Sequence, residues 1–483
     1  MKRVSVVHYM GATARSLSVV ASVVADLRDA GKNVSVVDLA PTTTIRQGFP
    51  PNYLARIFGQ TVKTTAFGEV LESLGASYVI LPESVNKLSI PQEHLEPIRI
   101  AVDSELLTYF RLDHIPNSRE ARLLRASLES NSARTYWSLR DLWSADTPDE
   151  VLVPNGRTSR QKAARLVAES LNIPVRLYEN GRAQKNSYYL GTTQPHDRIA
   201  SQAEVASLTS SMEPGEASSL ARKWLESRMS SSGGTNIFSA SWNPIEKSQG
   251  AGVRKRAVFF ASSFDEFLAF GPMWTIDEWS SQFEAFDLIM SVLEKRGVDL
   301  VLRLHPNLAS KSRRYFQREV REIVALQKKH PSLKIHWHNS PANSYQLVAE
   351  SDYVIVERST TGLEASLMGK PIWATQATQW DQVADIRQLL TPSDVTEDAL
   401  QLWVPSPQGA ELFVAYWMIQ EHPLRFASDT WATWDPEKPP LAMKALQLAL
   451  PNPVTHKIRL LSLEWSKWLN GRFRPSHYDK QEQ

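Results

Sequence analysis

The sequence predicts an α/β protein made of two successive domains, and three observations support this. Short β-branched runs alternate with segments of helical apolar spacing, a pattern typical of parallel sheets covered by helices. A second series of the same kind begins at Arg256, after a stretch in which strand signals lapse. The chain of 483 residues is also too long for one hydrophobic core of ordinary size.

The first domain is predicted to span residues 1–198. It opens with a βαβ unit, in which "RVSVV" and "NVSVVDL" flank an apolar pattern at helical spacing that ends at Gly31. Further strands are predicted at residues 77–81, 98–102, 151–154 and 173–179. Residues 199–255, rich in serine and glycine, are predicted to connect the domains and to contain one helix, "ASSLARKWLESRM".

The second domain is predicted to span residues 256–430. Its strands are expected at 256–263, 298–306, 333–338, 352–356 and 371–375. Its helices are expected at 278–295, 312–329, 345–350 and 361–368. Residues 431–483 are predicted to form a C-terminal helical segment that places Trp465 and Trp468 on one face and basic residues elsewhere. This segment is expected either to pack back on the first domain or to lie on an anionic membrane surface.

The composition is that of a soluble globular protein, with 42% hydrophobic residues, 22% charged residues and a formal net charge of +2. Such a charge provides no field that favours nucleic acid. The absence of cysteine excludes disulfides, thiolate metal sites and cysteine nucleophiles. The apolar run Val4–Val7 is too short for a signal peptide, and no run is long enough to cross a bilayer. We therefore expect a cytoplasmic protein, and contact with the inner face of the cytoplasmic membrane depends on the C-terminal segment.

Hydroxyl residues follow the apolar run "DYVIV" at the start of a predicted helix. The stretch "ERSTTGLEA" contains Ser359, Thr360 and Thr361, and Thr361 and Glu364 have the spacing of a capping box. A helix start with unpaired N–H groups suits a phosphate, and Gly362 would let a ligand approach the backbone. The alternative is a buried helix that is simply well capped.

Two more predicted strands end in polar residues. In "LVLRLHPN", alternation places Arg303 and His305 on one side, and Pro306 favours an extended conformation for the histidine. A structural histidine is the competing interpretation. In "FFASSFDEF", Ser262 and Ser263 are followed by two carboxylates, Asp265 and Glu266. One carboxylate is expected to contact a sugar or to act in the chemistry, and the alternative is that Asp265 caps the next segment.

The segments "FFASSFDE", "VLRLHPN" and "SDYVIVERSTTGLEASLMGKPI" together resemble the carboxy-terminal donor domain of GT-B glycosyltransferases. More narrowly, they resemble bacterial capsule and lipopolysaccharide proteins that include β-Kdo transferases using CMP-Kdo. The resemblance extends to the polymerases that transfer glycerol phosphate from CDP-glycerol. The likeness covers about residues 255–376. It implies a GT-B fold, with two Rossmann-like domains facing a central cleft, and a nucleotide-sugar co-substrate with neither a cofactor nor a metal ion.

The resemblance also implies roles for the loop residues. His305 and Ser359–Thr361 would hold the donor phosphate, Glu364 would hold the ribose or the adjoining loop, and Arg303 and Arg358 would supply positive charge as the nucleotide leaves. A retaining reaction needs a carboxylate nucleophile, for which Asp265 is the first choice and Glu179 the second. An inverting reaction would need only a base, and the sequence does not decide between the two.

In a GT-B enzyme the first domain binds the acceptor, here a surface polysaccharide or glycolipid. Its polar strand-end residues are Asn155, Arg157, Glu179 and Arg182. Asn155-Gly156 is also typical of a plain turn. Arg157 has no evident structural reason to stand at a helix start, because a cation opposes the helix dipole. The alternatives for the whole protein are a CDP-polyol phosphotransferase or a glycan-binding assembly protein without catalytic activity.

Overall fold

The structure is a computed structural model that describes residues 1–8, 14–39, 68–81, 89–110, 112, 114–208, 211–230, 254–263, 267–274, 278–311 and 313–426. The predicted segment 431–483 lies outside these described residues, as do Asp265 and Glu266.

Two compact units make up the described part of the chain. The first contains residues 1–195, 269–271 and 420–426, and the second contains residues 196–268 and 272–419. The helices Arg198–Leu208 and Glu216–Met229 belong to the second unit, and apart from Arg198 they lie within the predicted connection.

The first unit is built on a seven-stranded sheet. Its strands are β1 (Arg3–His8), β2 (Asn33–Asp38), β3 (Ser77–Ile80), β4 (Glu150–Pro154), β5 (Val175–Asn180), β6 (Ser187–Gly191) and, late in the chain, β13 (Glu421–Pro423). The order is β13-β6-β5-β4-β1-β2-β3, and only β6 and β13 pair antiparallel. The parallel part therefore has the 3-2-1-4-5 order of a doubly wound sheet.

Helices cover both faces of this sheet. They are α1 (Ala14–Asp29), α2 (Gln92–Phe110), α3 (Arg119–Ala145) and α4 (Ser159–Ser170). Because side chains alternate along a strand, Val6 packs with α1 whereas Val7 packs with the three other helices. Burial of both faces explains why three of the four residues from Val4 to Val7 are valine.

One predicted strand of the first unit is wrong. Residues 98–102, "IRIAV", lie inside helix α2 rather than in a strand. The buried residues Ile98, Ala101, Val102 and Leu106 follow one another at helical spacing, and this spacing outweighs the β-branched composition of the five-residue run. Strands β6 and β13 were not predicted, since each is short and pairs at the antiparallel edge.

The second unit is built on a six-stranded sheet in which all strands pair parallel. Its strands are β7 (Arg256–Phe260), β8 (Asp299–Arg303), β9 (Lys334–His336), β10 (Tyr353–Val356), β11 (Ile372–Ala374) and β12 (Arg387–Gln388). Its helices are α5 (Arg198–Leu208), α6 (Glu216–Met229), α7 (Gln282–Lys295), α8 (Arg313–Lys329), α9 (Ser344–Ala349), α10 (Thr361–Leu367) and α11 (Gln408–Ile419).

The order of this second sheet is β12-β11-β10-β7-β8-β9. Numbered within the unit, it reads 6-5-4-1-2-3, which is the Rossmann order. One face of the sheet packs on an aromatic and aliphatic core in which the Phe259 and Phe286 rings are 5.3 Å apart. The predicted α/β class with two Rossmann-like units is confirmed by these two sheets.

Candidate functional site

The strand order locates a candidate site in the second unit. The chain runs from β7 outward to β8 and β9, and then returns to β10 on the other side of β7. The connections therefore diverge between β7 and β10, and ligands of open α/β sheets bind outside the carboxyl ends of the strands at such a switch point. The residues that follow these two strands, together with those that follow the neighbouring β8, form the candidate site.

The loops after β7 and β10 are joined by a direct hydrogen bond. The main-chain N–H of Arg358 donates to the Ser262 hydroxyl oxygen over 3.3 Å. Ser262 is also fixed by Gln282, the first residue of α7, which accepts its N–H at 2.9 Å and donates to its carbonyl at 3.2 Å. Ser262 is only 6% exposed, so its main role is to hold the two loops together, and little of its surface is available to a ligand.

Two charged residues lie buried side by side after β10. The Arg358 guanidinium donates to the Gln376 side chain at 2.9 Å and lies 5.3 Å from the centre of the Phe267 ring. Burial lowers the pKa of Arg358, and the Glu357 carboxylate partly offsets this effect. The nearest approach of Glu357 Oε1 to Arg358 Nη1 is 3.8 Å. The switch point thus holds a desolvated arginine whose orientation is set by an amide and an aromatic ring.

Glu357 is a site residue to which the sequence argument assigned no role. Burial raises the pKa of its carboxyl, whereas Arg358 and a hydrogen bond from Ser262 lower it, and burial prevails. A charged residue at the end of the apolar run "YVIV" is the signal that would have identified it. Its position lets it hold both Ser262 and Arg358.

The loop after β8 brings His305 beside Ser263, a contact that the sequence did not predict. The Ser263 hydroxyl oxygen is 3.4 Å from His305 Nδ1, and the main-chain N–H of Asn307 donates to the same nitrogen at 3.1 Å. Pro306 starts a short 3₁₀ helix, Pro306–Ser310, and His305 is extended just before it. A small pocket between this loop and the loop after β7 is lined by Ser262, Ser263 and His305 among others.

Arg303 has a structural contact that the sequence did not reveal. Its guanidinium is buried and donates to the carbonyl oxygens of Trp337 at 2.6 Å and Ser340 at 3.1 Å. Strand β8 ends at Arg303, so the strand alternation that placed Arg303 and His305 together does not extend to the histidine. Of the two predicted arginines, Arg358 is therefore the one on which we base the site.

The hydroxyl side chains of Ser359–Thr361, which precede and begin α10, were expected to face a phosphate. The Ser359 hydroxyl donates to Thr361 Oγ1 at 3.1 Å and accepts the Thr361 N–H at 3.2 Å. Helix α10 begins at Thr361, and the preceding Thr360 makes no side-chain capping bond. The hydroxyls of this loop therefore bond mainly to their own turn.

The predicted capping box between Thr361 and Glu364 is wrong, because Glu364 points elsewhere. Its buried carboxylate pairs with Arg228 of helix α6 and hydrogen-bonds to Tyr345. Burial raises the pKa of this carboxyl, and the two partners lower it. Glu364 thus joins helices within the second unit, and its predicted contact with ribose stays a prediction.

Gly362 is required by packing. A Cβ at this position would lie 2.7 Å from the Trp380 ring and 3.0 Å from Val356 Cγ2. Packing against Trp380 thus accounts for this glycine, and the expectation that it leaves room for a ligand stays a prediction.

The predicted acceptor residues of the first unit lie at the carboxyl ends of β4 and β5. Asn155 and Gly156 both have positive φ, 51° and 76°, as the alternative interpretation of a tight turn requires. Glu179 lies 4.0 Å from the Arg182 guanidinium, and its charge acts to raise the pKa of Arg157. The structure therefore brings Arg157, Glu179 and Arg182 to one edge of the sheet.

Arg157 also has structural contacts, so the argument that it has no structural reason to be there is wrong. Its Nη1 donates to the Ser104 hydroxyl at 2.7 Å and to the Ala269 carbonyl at 2.8 Å. Burial lowers its pKa. At the adjacent start of α4, Glu105 accepts the N–H and the hydroxyl of Ser159 at 3.1 and 2.7 Å, which satisfies the helix terminus.

Within the described ranges, no group of three histidine, aspartate or glutamate residues is arranged to hold a metal ion. No helix among the described residues is both long enough and apolar enough to span a membrane.

No protein-family model matches the chain, and no curated protein matches it in sequence. Among solved structures, the chain is similar to the KpsC β-Kdo 2,4 transferase of Thermosulfurimonas dismutans, with 16% identity and a TM-score of 0.37 over 56% of this chain and 80% of that one. It is similar to the β-Kdo 2,7 transferase of the same organism, with 16% identity and a TM-score of 0.33 over 58% and 80%. A putative UDP-N-acetylglucosamine 2-epimerase from Listeria monocytogenes matches with 11% identity and a TM-score of 0.32 over 86% and 94%. These similarities are too weak to support an argument about substrate or reaction.

Proposed function

We propose that the protein is a glycosyltransferase that binds a nucleotide-activated sugar at the switch point of the second unit and transfers the sugar to a polysaccharide or glycolipid. The observation that carries the proposal is the convergence of Ser263, His305 and Arg358 at the carboxyl ends of β7, β8 and β10. A cation and hydrogen-bond donors at this edge suit the phosphate of a departing nucleotide.

Arg358 supplies the charge in this proposal. Its guanidinium is buried, so its attraction for a phosphate is screened less than that of a surface arginine. Gln376 and Phe267 already fix its orientation, so binding costs little side-chain entropy. Charge development on the leaving phosphate is stabilised by the protein itself, and the proposal assigns no step to a metal ion.

The finer parts of the proposal come from the resemblance in sequence. A CMP-activated sugar such as CMP-Kdo is the donor to test first, and the product is a bacterial surface glycan. Asp265, Glu179 and Glu266 are the carboxylates proposed for the chemistry, with Asp265 first as nucleophile of a retaining reaction. Asn155, Arg157 and Arg182 are proposed to contact the acceptor. Ser262, Ser359, Thr360, Gly362 and Pro306 are proposed to shape the donor site.

The test is a thermal-shift titration with CMP, CDP, UDP and GDP, because a ligand that binds only the folded state raises the melting temperature. Wild type is compared with His305→Ala and with His114→Ala, which changes an exposed histidine of the first unit. We expect one nucleotide to stabilise wild type and His114→Ala and to lose its effect in His305→Ala.

The outcome separates the alternatives. A shift with CMP directs the next assay to hydrolysis of CMP-Kdo, and a shift with CDP directs it to CDP-glycerol and the polyol phosphotransferase. A shift with UDP or GDP retains a glycosyltransferase and discards Kdo. Wild-type protein that responds to no nucleotide contradicts the proposal and favours a glycan-binding protein.

A further inference from the structure

The ring of His305 is held from one side by the chain that follows it. Its Nδ1 faces the main-chain N–H of Asn307 at 3.1 Å and the Ser263 hydroxyl oxygen at 3.4 Å. Pro306 has no N–H, so the Asn307 N–H is the first donor of the 3₁₀ helix that begins at Pro306. The histidine side chain caps this helix.

This contact determines where the ring carries its proton. A main-chain N–H can only donate, so Nδ1 must accept with its lone pair and cannot carry a proton itself. A ring whose Nδ1 is unprotonated is neutral and has its proton on Nε2. The Ser263 hydroxyl can rotate to donate to the same nitrogen, which is consistent with this tautomer.

We propose that His305 contacts the donor phosphate as a neutral imidazole that donates its Nε2–H, and that the Asn307 N–H holds it in this form. The inference rests on the proposed function and adds a chemical role to it. A neutral ring provides a directed hydrogen bond and no charge, and its N–H is far too weak an acid to protonate a leaving phosphate. Arg358 then supplies the positive charge, and His305 orients the phosphate toward it.

Two substitutions distinguish this role from that of a charged or proton-donating histidine. The amide of glutamine reaches about as far as Nε2, whereas the shorter amide of asparagine reaches about as far as Nδ1. We expect His305→Gln to retain CMP affinity within about threefold, and His305→Asn to lose about tenfold, the equivalent of about 1.4 kcal/mol. Equal and large losses in both variants, with both proteins folded by circular dichroism, would overturn the proposal.

The tautomer is measured directly, without any nucleotide, by nuclear magnetic resonance of protein labelled with ¹⁵N-histidine. The chain has 11 histidines, and the resonance that disappears in His305→Gln identifies the ring of interest. We expect an unprotonated Nδ1 and a protonated Nε2 at neutral pH. A protonated Nδ1, in either a neutral or a charged ring, overturns the inference.

A matched pair at the next residue tests the cause. Asn307→Ala keeps the main-chain N–H, whereas Asn307→Pro removes it. We expect the Nε2–H tautomer to persist in the alanine variant and to lose its dominance in the proline variant. Persistence in both variants means that the Asn307 N–H does not hold the ring and contradicts that part of the proposal. If the proline variant does not fold, the tautomer measured in wild type and the glutamine and asparagine comparison still decide whether His305 donates its Nε2–H.

Measuring both the tautomer of His305 and nucleotide binding distinguishes a failure of this inference from a failure of the proposed function. If His305 has the expected tautomer but none of CMP, CDP, UDP and GDP binds, both the contact of His305 with a phosphate and the proposed function are wrong. Nucleotide binding with a protonated Nδ1 keeps the proposed function and removes only the inference about His305.

Discussion

Glu421 accepts a hydrogen bond from the Ser187 hydroxyl at 2.6 Å, although 234 residues separate the two in the chain. The same carboxylate accepts the main-chain N–H groups of Ala183 at 2.7 Å and Gln184 at 2.8 Å, and that of Arg182 as well. The loop after β5 is thus folded around a carboxylate that β13 delivers. This loop carries Arg182, one of the proposed acceptor residues.

Replacing Glu421 with glutamine is expected to destabilise the first unit. The amide keeps one oxygen but turns an NH₂ group toward N–H donors, and hydrogen bonds to a charged group contribute about 1.5–3 kcal/mol each. We expect the free energy of unfolding to fall by about 2 kcal/mol in urea titrations. Glu72→Gln, which changes an exposed carboxylate of the same unit, serves as the control. A loss no larger than that of the control would show that the loop does not depend on this charge.

Arg358→Lys is expected to weaken nucleotide binding while the protein stays folded. Lysine keeps the charge but has no planar fork that can bond Gln376, lie against Phe267 and face a phosphate together. We expect about a tenfold loss of affinity for the nucleotide that binds wild type, measured by isothermal titration calorimetry. Arg321→Lys, on the exposed side of α8, is the matched control. Unchanged affinity in Arg358→Lys would exclude a specific role for the guanidinium.

Gly362→Ala is expected to destabilise the second unit, because the new Cβ would lie 2.7 Å from the Trp380 ring. Overpacking of this kind costs about 1–3 kcal/mol. Trp380→Phe, which shortens the ring system, is expected to relieve part of the clash, so the double variant should be more stable than the sum of the two single effects predicts. Additive effects in thermal or urea unfolding would show that the two residues do not conflict.

Glu150 is expected to stabilise the folded protein at neutral pH, and this stabilisation is expected to be lost in acid. Burial acts to raise its pKa, but hydrogen bonds and charges from Arg176 and Lys2 prevail, and the pKa lies below its ordinary value of 4.5. A lowered pKa means that the unfolded chain binds the proton more readily than the folded protein. The contribution is therefore present above pH 4.5 and is lost as the pH falls through the lowered pKa.

The check is the slope of unfolding free energy against pH in wild type and Glu150→Gln. We expect the variant to be less stable at neutral pH and to lose less stability below pH 4.5, because its amide does not titrate. Parallel slopes in the two proteins would show that this ion pair makes no pH-dependent contribution.

The sequence by itself determined the class of fold and much of the site's position. Apolar, β-branched runs located the central strands of both sheets, because strands buried on both faces must be apolar along their length. The polar residues after "RAVFF", "LVLR" and "YVIV" indicated strand ends suited to a ligand, and the structure then brings Ser263 beside His305. These signals are local, so they can be recognised without knowing what packs against them.

The tertiary structure decided what each polar side chain contacts. Arg303 binds two carbonyls of the loop after β9, Glu364 pairs with Arg228 of helix α6, and Gly362 packs on Trp380. Each partner is remote in sequence, and a buried charge must find a partner wherever the fold provides one. Residues 98–102 are helical for a related reason, because burial at helical spacing from Ile98 to Leu106 outweighed the β preference of the five-residue run. Local pattern therefore located most of the buried central strands, and packing between distant elements determined the remaining elements and the contacts open to each side chain.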